Sequence, residues 1–514
     1  MSLRLTSRVA RIAGWIAVFA MASVAWADVK LASLFVDGVV LQRAQPVRIW
    51  GWAEAGEKVA VTFAGRTETA IAAADRSWRV TLPSLAATAE GRDMRVVGKN
   101  VVVVHDVVVG DVWICSGQSN MELTVRNSLD AEHEIATANF PAIRQIKIDR
   151  QLSEKPLEAV PASAWRVATP AHVGWFTAAG YFFARKMFRE TRVPVGLINC
   201  TWSGTSIEPW MSAESLAENP AFAVVWERWR ADLAAYPERR KVYEQKLATW
   251  KADEERAAAG GEAAHTDFLK THRKPLPPAG APDQPYPGNP TQIYNGMVYP
   301  LRHAVVRGVL WYQGEANAVR ATEYAALFEA SIRGWRRLFD APELPFYWVQ
   351  IANYIVDTDW PRLREAQGLA LALPHTAMAV TIDIGDPFNI HPANKQELGR
   401  RLSLIALEQL EHRDVESSGP RFARVEFEEG AARVSFAHGA GLNTHSGPLR
   451  SLELAGEDRV FHPAEGRIEG ETLIARSSAV GHPVAVRYAW SASPQANLYN
   501  LAGLPAAPFR SDDW

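Results

Sequence analysis

The stretch Asp111-Val112-Trp113-Ile114-Cys115-Ser116-Gly117-Gln118-Ser119-Asn120-Met121 governs the reading of this chain. Its first half is apolar, as in a buried strand, and it stops abruptly at small and polar residues. Such an ending sets a hydroxyl on a tight turn where backbone N–H groups converge, the position in which esterases mount a serine nucleophile. Met121 stands where a Gly-x-Ser-x-Gly elbow would have its second glycine, so the common α/β-hydrolase turn is not expected. A strand running into an ordinary polar loop would look the same, and the decision falls to the rest of the chain.

Outward from this stretch, strands alternate with helices. Helices are expected over 178–190, 324–339, 363–373 and 394–410, and strands over 195–200, 305–312, 346–352 and 377–384. That alternation predicts an α/β domain over 106–418, a parallel sheet covered by helices on both faces. An insertion at about 215–290 interrupts it. Residues 219–258 read as a charged helical segment, and 257–290, rich in Gly, Ala and Pro, as an extended return with little secondary structure of its own. On either side the pattern is all-β. Residues 28–105 carry short alternating runs such as Val47-Arg48-Ile49-Trp50-Gly51-Trp52, and 419–514 carry Val484-Ala485-Val486-Arg487-Tyr488-Ala489-Trp490. Both read as β-sandwich-like regions.

Four polar clusters each follow a predicted strand. They are Ser116 to Asn120, Thr201 to Ser206, Gln313-Gly314-Glu315-Ala316-Asn317, and the run from Asp383 through Asp386 and Phe388 to His391-Pro392. Sites in open parallel sheets form outside the carboxyl ends of the strands, so the four should meet in one crevice. Together they supply a serine, amides, glycines, carboxylates and a histidine, which suits a hydrolase needing nucleophile, base and oxyanion donors.

Composition narrows the class further. The chain has 514 residues, too many for one core, with 48% hydrophobic and 22% charged side chains and a net charge of −2. Neither nucleic acid nor an anionic membrane is an expected partner. Residues 1–27 have a basic start (Arg4, Arg8, Arg11), an apolar run from Ile12 to Val24 and an Ala25-Trp26-Ala27 cleavage site, the build of a secretory signal peptide. Its loss leaves 52 basic against 57 acidic residues, and the mature chain is expected to be periplasmic or secreted, with no membrane association. Cys115 and Cys200 are the two cysteines, and an exported chain can oxidise such a pair.

Gly117-Gln118-Ser119-Asn120-Met121, Trp311-Tyr312-Gln313-Gly314-Glu315-Ala316-Asn317 and Asn389-Ile390-His391-Pro392 with Lys395 resemble the sialate O-acetylesterase family, part of the SGNH hydrolase group. The likeness extends from Val39-Val40-Leu41-Gln42-Arg43 to Leu498-Tyr499-Asn500 and Pro508-Phe509. It implies an SGNH-type sheet and hydrolysis of O-acetyl esters on a saccharide, sialic acid or a cell-wall polysaccharide such as xyloglucan or xylan, without metal or organic cofactor. It also implies roles: Ser119 as nucleophile, His391 as general base, and Gly204 and Asn317 as oxyanion donors. The group's usual acid lies three residues before the histidine, where this chain has Phe388. Asp386 is the favoured substitute, Asp383 the second choice, and a backbone carbonyl the remaining way to orient the ring. Gln118, Trp202, Gln313 and Glu315 are candidates for contact with substrate, Glu315 more as a brace for its loop than as an acid. Among the 19 tryptophans, Trp202 and Trp210 are the better candidates for sugar stacking.

Two other classes fit parts of the pattern. A glycoside hydrolase would pair Glu315 with Asp386 and leave Ser119 dispensable. A sugar-binding assembly would use the flanking β regions and catalyse nothing.

Overall fold

The computed structural model describes residues 28–514 apart from Asp283 and Ser446. The expected signal peptide, residues 1–27, lies outside them.

The molecule is organised by one long strand, Val101–Gly117. Its carboxyl half is the centre of a sheet ordered Arg166–Ala168, Phe140–Lys147, Val195–Thr201, Val101–Gly117, Gly308–Tyr312, Phe346–Val349, Thr376–Ala379. All of these pairings are parallel except that of the edge strand Arg166–Ala168. Segments before Gly308 build one side of the central strand and later ones the other, so the chain reverses its direction of growth there. Ligand sites of open α/β sheets lie at that reversal.

Helices cover both faces, as the alternation predicts. Trp113 meets Phe183 edge-on at 4.9 Å on the face covered by Ala178–Thr191. Helix Lys395–Gln409 packs on that one so closely that a Cβ at Gly399 would collide with Phe182. On the other face Ala321–Leu338 turns Tyr324, Leu327, Phe328, Ser331 and Trp335 inward, a stripe at helical spacing, and Trp311 packs against Phe328 and Trp335.

The amino half of Val101–Gly117 belongs to the N-terminal β region, where it pairs with Val40–Gln42 and Thr88–Val97. The expected boundary at 105/106 therefore falls inside one strand. The C-terminal region is a sandwich of two four-stranded sheets whose inner faces meet at Phe422, Phe436 and Phe509. It is fastened to the α/β domain by Arg510 on Glu365 at 2.7 and 3.0 Å, and by Arg364 on the carbonyls of Ser491 and Ala492. No strand of one end pairs with a strand of the other among the described residues.

One strand is absent from the sequence reading, and one local expectation needs correction. Phe140–Lys147 is an interior strand, next to the edge, that a proline at 141 and the polar pair Arg144 and Gln145 conceal; Arg144 is buried because the carbonyls of Gly38 and Asp106 accept its guanidinium. The return of the insertion contains a helix, Glu262–Thr271, which folds back on Ala223–Ala259 with Phe268 against Trp250. Its Glu-Ala-Ala-His start favours helix, and Gly260-Gly261 breaks the first helix to permit the reversal.

Candidate functional site

Gly117 stands opposite Thr201 on one side and Tyr312 on the other, so three parallel strands end together. Its φ is +126°, and a Cβ there would come within 2.2 Å of the Tyr312 carbonyl oxygen. Only glycine lets the chain turn so close to that backbone. The turn opens directly into a one-turn helix, Ser119–Glu122. Ser119, half-buried, is the first residue of that turn, where N–H groups have no partner within the helix and remain available to an anion.

The other three clusters are fastened to this turn residue by residue. Gln118 accepts the backbone N–H groups of Gly314 and Ala316 at 3.4 and 3.3 Å, which ties it to the loop holding Asn317. Glu122 accepts both the N–H and the hydroxyl of Ser203, at 2.9 and 2.6 Å, and so holds the loop of Gly204. Although burial opposes it, Lys147 and Ser203 hold the Glu122 carboxyl below its ordinary pKa. Asn120 donates to the carbonyl of Ile390 at 2.9 Å, which draws in the loop of His391. Gly204 has φ +74° and is exposed, with nothing within 4 Å of the place a Cβ would take.

Asn317 is held in one orientation. Its oxygen accepts the Ile207 N–H at 2.9 Å and Gln313 Nε2 at 2.7 Å, so its NH2 is turned the other way, where Glu208 accepts at 3.2 Å. Glu208 is buried; burial disfavours its charge, but Arg320, at 3.0 Å, and a hydroxyl from Ser206 outweigh it and leave the carboxyl below its ordinary pKa. This residue went unnoticed in the sequence, where it is a lone acid between Ile207 and Pro209-Trp210. A charge inside an apolar turn is the signal that could have found it.

His391 is half-buried, and among the described residues nothing hydrogen-bonds its ring. Burial, and secondarily the Lys395 ammonium, lower its pKa, so the ring is a neutral base at neutral pH. Asp383 is committed elsewhere: Arg401 holds both carboxylate oxygens at 2.7 Å, and the Tyr499 hydroxyl donates at 3.4 Å. Asp386 is exposed, with one oxygen accepting the Phe388 N–H at 2.8 Å and the other free. Phe388 itself is 85% exposed.

Of the residues considered for substrate contact, Gln118 and Gln313 are buried; Gln118 gives its amide oxygen to the Gly314 and Ala316 N–H groups, and Gln313 gives its amide nitrogen to Thr205 and Asn317. Glu315 gives one carboxylate oxygen to Asn120 at 2.7 Å, and the other is buried. Trp202 remains partly exposed, whereas Trp210 is fully buried, its indole N–H on Thr205. A cleft of about 300 Å3 opens beside Gly204 and Ala316, walled by Arg228, Trp229 and Tyr286 of the insertion.

The family model described as carbohydrate esterase, sialic acid-specific acetylesterase matches residues 109–246 and 258–408. The chain belongs to this family. A solved carbohydrate acetylesterase from Xanthomonas citri is 37% identical and aligns with a TM-score of 0.79, covering 95% of this chain and 100% of that one. The sialate O-acetylesterase of Rattus norvegicus is 27% identical over 92% of this chain and 93% of its own length, and that of Homo sapiens 26% identical over 94% of each. Membership of a carbohydrate O-acetylesterase family makes the chain an ester hydrolase, and the four fastened loops are where its sheet leaves a crevice. The buried Glu315 carboxylate is also ill placed for the paired-carboxylate chemistry of a glycosidase.

The two cysteines are free. Cys115 stands opposite Asn199 and Cys200 opposite Ser116, so their side chains leave the sheet on opposite faces, Cys115 towards Gly180. No disulfide can join them. Burial pushes both thiols up, Cys200 to about 12.

Proposed function

We propose that the chain is an exported serine esterase that removes acetyl groups from a saccharide, with Ser119 as nucleophile and His391 as base. The ring takes the Ser119 proton as Oγ attacks the acetyl carbonyl, then gives it to the departing sugar oxygen. Water, deprotonated by the same ring, releases acetate and restores the serine. The Ser119 and Gly204 N–H groups and the Asn317 amide stabilise the oxyanion. Asp386 orients the imidazole through its free carboxylate oxygen, since Asp383 has none to offer.

The observation that carries this reading is the set of bonds from Gln118, Asn120 and Glu122 to three separate loops. Residues on both sides of Ser119 are spent on drawing the other candidate groups to it. The cleft beside Gly204 has room for more than an acetyl group, and Trp229 and Tyr286 offer apolar faces to sugar rings. Its occupant is an O-acetylated saccharide of the kinds the family is built for, sialic acid or an acetylated xyloglucan or xylan. Export rests on the leader-like residues 1–27, and no described helix is long and apolar enough to cross a membrane.

Acetate release from a panel of acetylated glycans, compared between the native chain and Ser119→Ala, tests the proposal. Activity on one glycan class and its loss in the variant is the expected result. Retention of more than about a tenth of native turnover by Ser119→Ala would remove the serine from the mechanism.

A further inference from the structure

The carboxamide of Asn120, next to the proposed nucleophile, lies between two buried groups of opposite charge. Lys395 donates to its oxygen at 2.7 Å, and its nitrogen donates to Glu315 at 2.7 Å and to the Ile390 carbonyl at 2.9 Å. An ammonium can only donate and a carbonyl only accept, so the amide has a single orientation. Lys395 is 1% exposed and lies 5.1 Å from the ring centre of Tyr312.

This is a costly place for a cation. Burial strips its water, and Lys395 is the first residue of helix Lys395–Gln409, where the helix dipole already presents positive charge. The cap of that helix is provided by Asn394, which accepts the Glu397 N–H at 3.1 Å, so the ammonium is not needed to close it. What Lys395 does contact is the residue after Ser119, and through that residue the carbonyl preceding His391.

We infer that Lys395 is a positioning residue of this esterase, locking the Ser119 turn to the His391 loop through Asn120 and setting a buried positive charge beside the base. The inference rests on the proposed roles of Ser119 and His391. The other charged groups around the loop do not replace it. Glu122 in the Ser119 turn is neutralised by Lys147 and Arg150, Asp383 by Arg401, and Asp386, the proposed partner of the ring, is the same in every variant compared. Glu315, from the Gln313 loop, is separated from Lys395 by the amide both of them hold. Burial brings the Lys395 ammonium down to about 7 with Glu315 opposing, and burial together with that ammonium lowers His391 below its ordinary value. The Lys395 charge then keeps the base free to lower pH.

The test is the pH dependence of kcat/KM on an aryl acetate for the full mature chain, its Lys395→Met and Glu315→Gln variants, and the double variant. Lys395→Met should lose about tenfold in kcat with KM within about twofold, and its acid limb should move upward by about half a pH unit. Glu315→Gln keeps an acceptor for Asn120 but removes the charge that supports the ammonium, so its limb should move in the same direction as that of Lys395→Met and by less. The double variant leaves no unpaired buried charge and should show the Lys395→Met limb, which keeps the test open if the single variant does not fold. An unmoved acid limb in the folded Lys395→Met or double variant overturns the inference. Full activity in His391→Ala would overturn the site reading instead, so the two failures are told apart.

Discussion

The Asn317 side-chain amide points its nitrogen at the buried carboxylate of Glu208, 3.2 Å away, while the Ile207 backbone pins its oxygen. The proposed oxyanion donor is thus aimed before substrate arrives, by a carboxylate that Arg320 and Arg228 keep charged. Asn317→Ala should lower kcat by about 10²–10³ with a smaller change in KM, as for a donor engaged mainly in the transition state. An effect confined to KM would mean that the amide binds sugar. Glu208→Gln should lose about tenfold in kcat, because the neutral amide no longer anchors both arginines.

Asp386→Asn and Asp383→Asn separate orientation from support. Asp386→Asn should slow turnover by about 10²-fold or more with an unchanged Tm, since its side chain is in solvent apart from the Phe388 N–H. Asp383→Asn should act on stability, by about 3–5 kcal/mol, because it leaves the buried Arg401 guanidinium short of its main partner. Near-native turnover in both would mean a Ser119–His391 dyad with a carbonyl holding the ring.

The acid limb of kcat/KM should lie below about pH 6.5, the ordinary value for histidine. As the proposed base the ring must be neutral, and burial and Lys395 both disfavour its protonation, so activity should be lost only as pH falls through that lowered value. A limb at or above the ordinary value would mean that Asp386, the proposed partner of the ring, outweighs burial and Lys395 in the working enzyme.

Exported protein should begin at Asp28. Intact-mass measurement checks this, and a retained segment from Arg4 to Ala27 would contradict removal of a leader.

Where the polar pattern tracked local geometry, the fold was legible. The strand endings at Gly117, Thr201 and Tyr312 fall where small polar residues begin, and helix Ala178–Thr191 lies within a residue of its amphipathic stretch. Phe140–Lys147 was hidden because a buried arginine inside a strand is stable only through partners at Gly38 and Asp106, which no local window contains. Glu208 was hidden for the same reason: its arginines and Asn317 are separated from it in sequence. The opposite orientation of Cys115 and Cys200 depends on strand register, which composition does not encode.

The bond between Asn120 and Lys395 joins residues 275 apart in sequence. A ribosome makes the serine's turn early and the histidine's loop late, and a contact of such separation closes only after the chain between has condensed. On the proposed roles of Ser119 and His391, fragments and half-folded chains hold a serine with no base, and hydrolysis should begin only when the whole catalytic domain is assembled. Recovery of turnover during refolding would therefore time the docking of the Lys395–Gln409 helix, which makes the enzyme's own reaction a clock for that long-range contact.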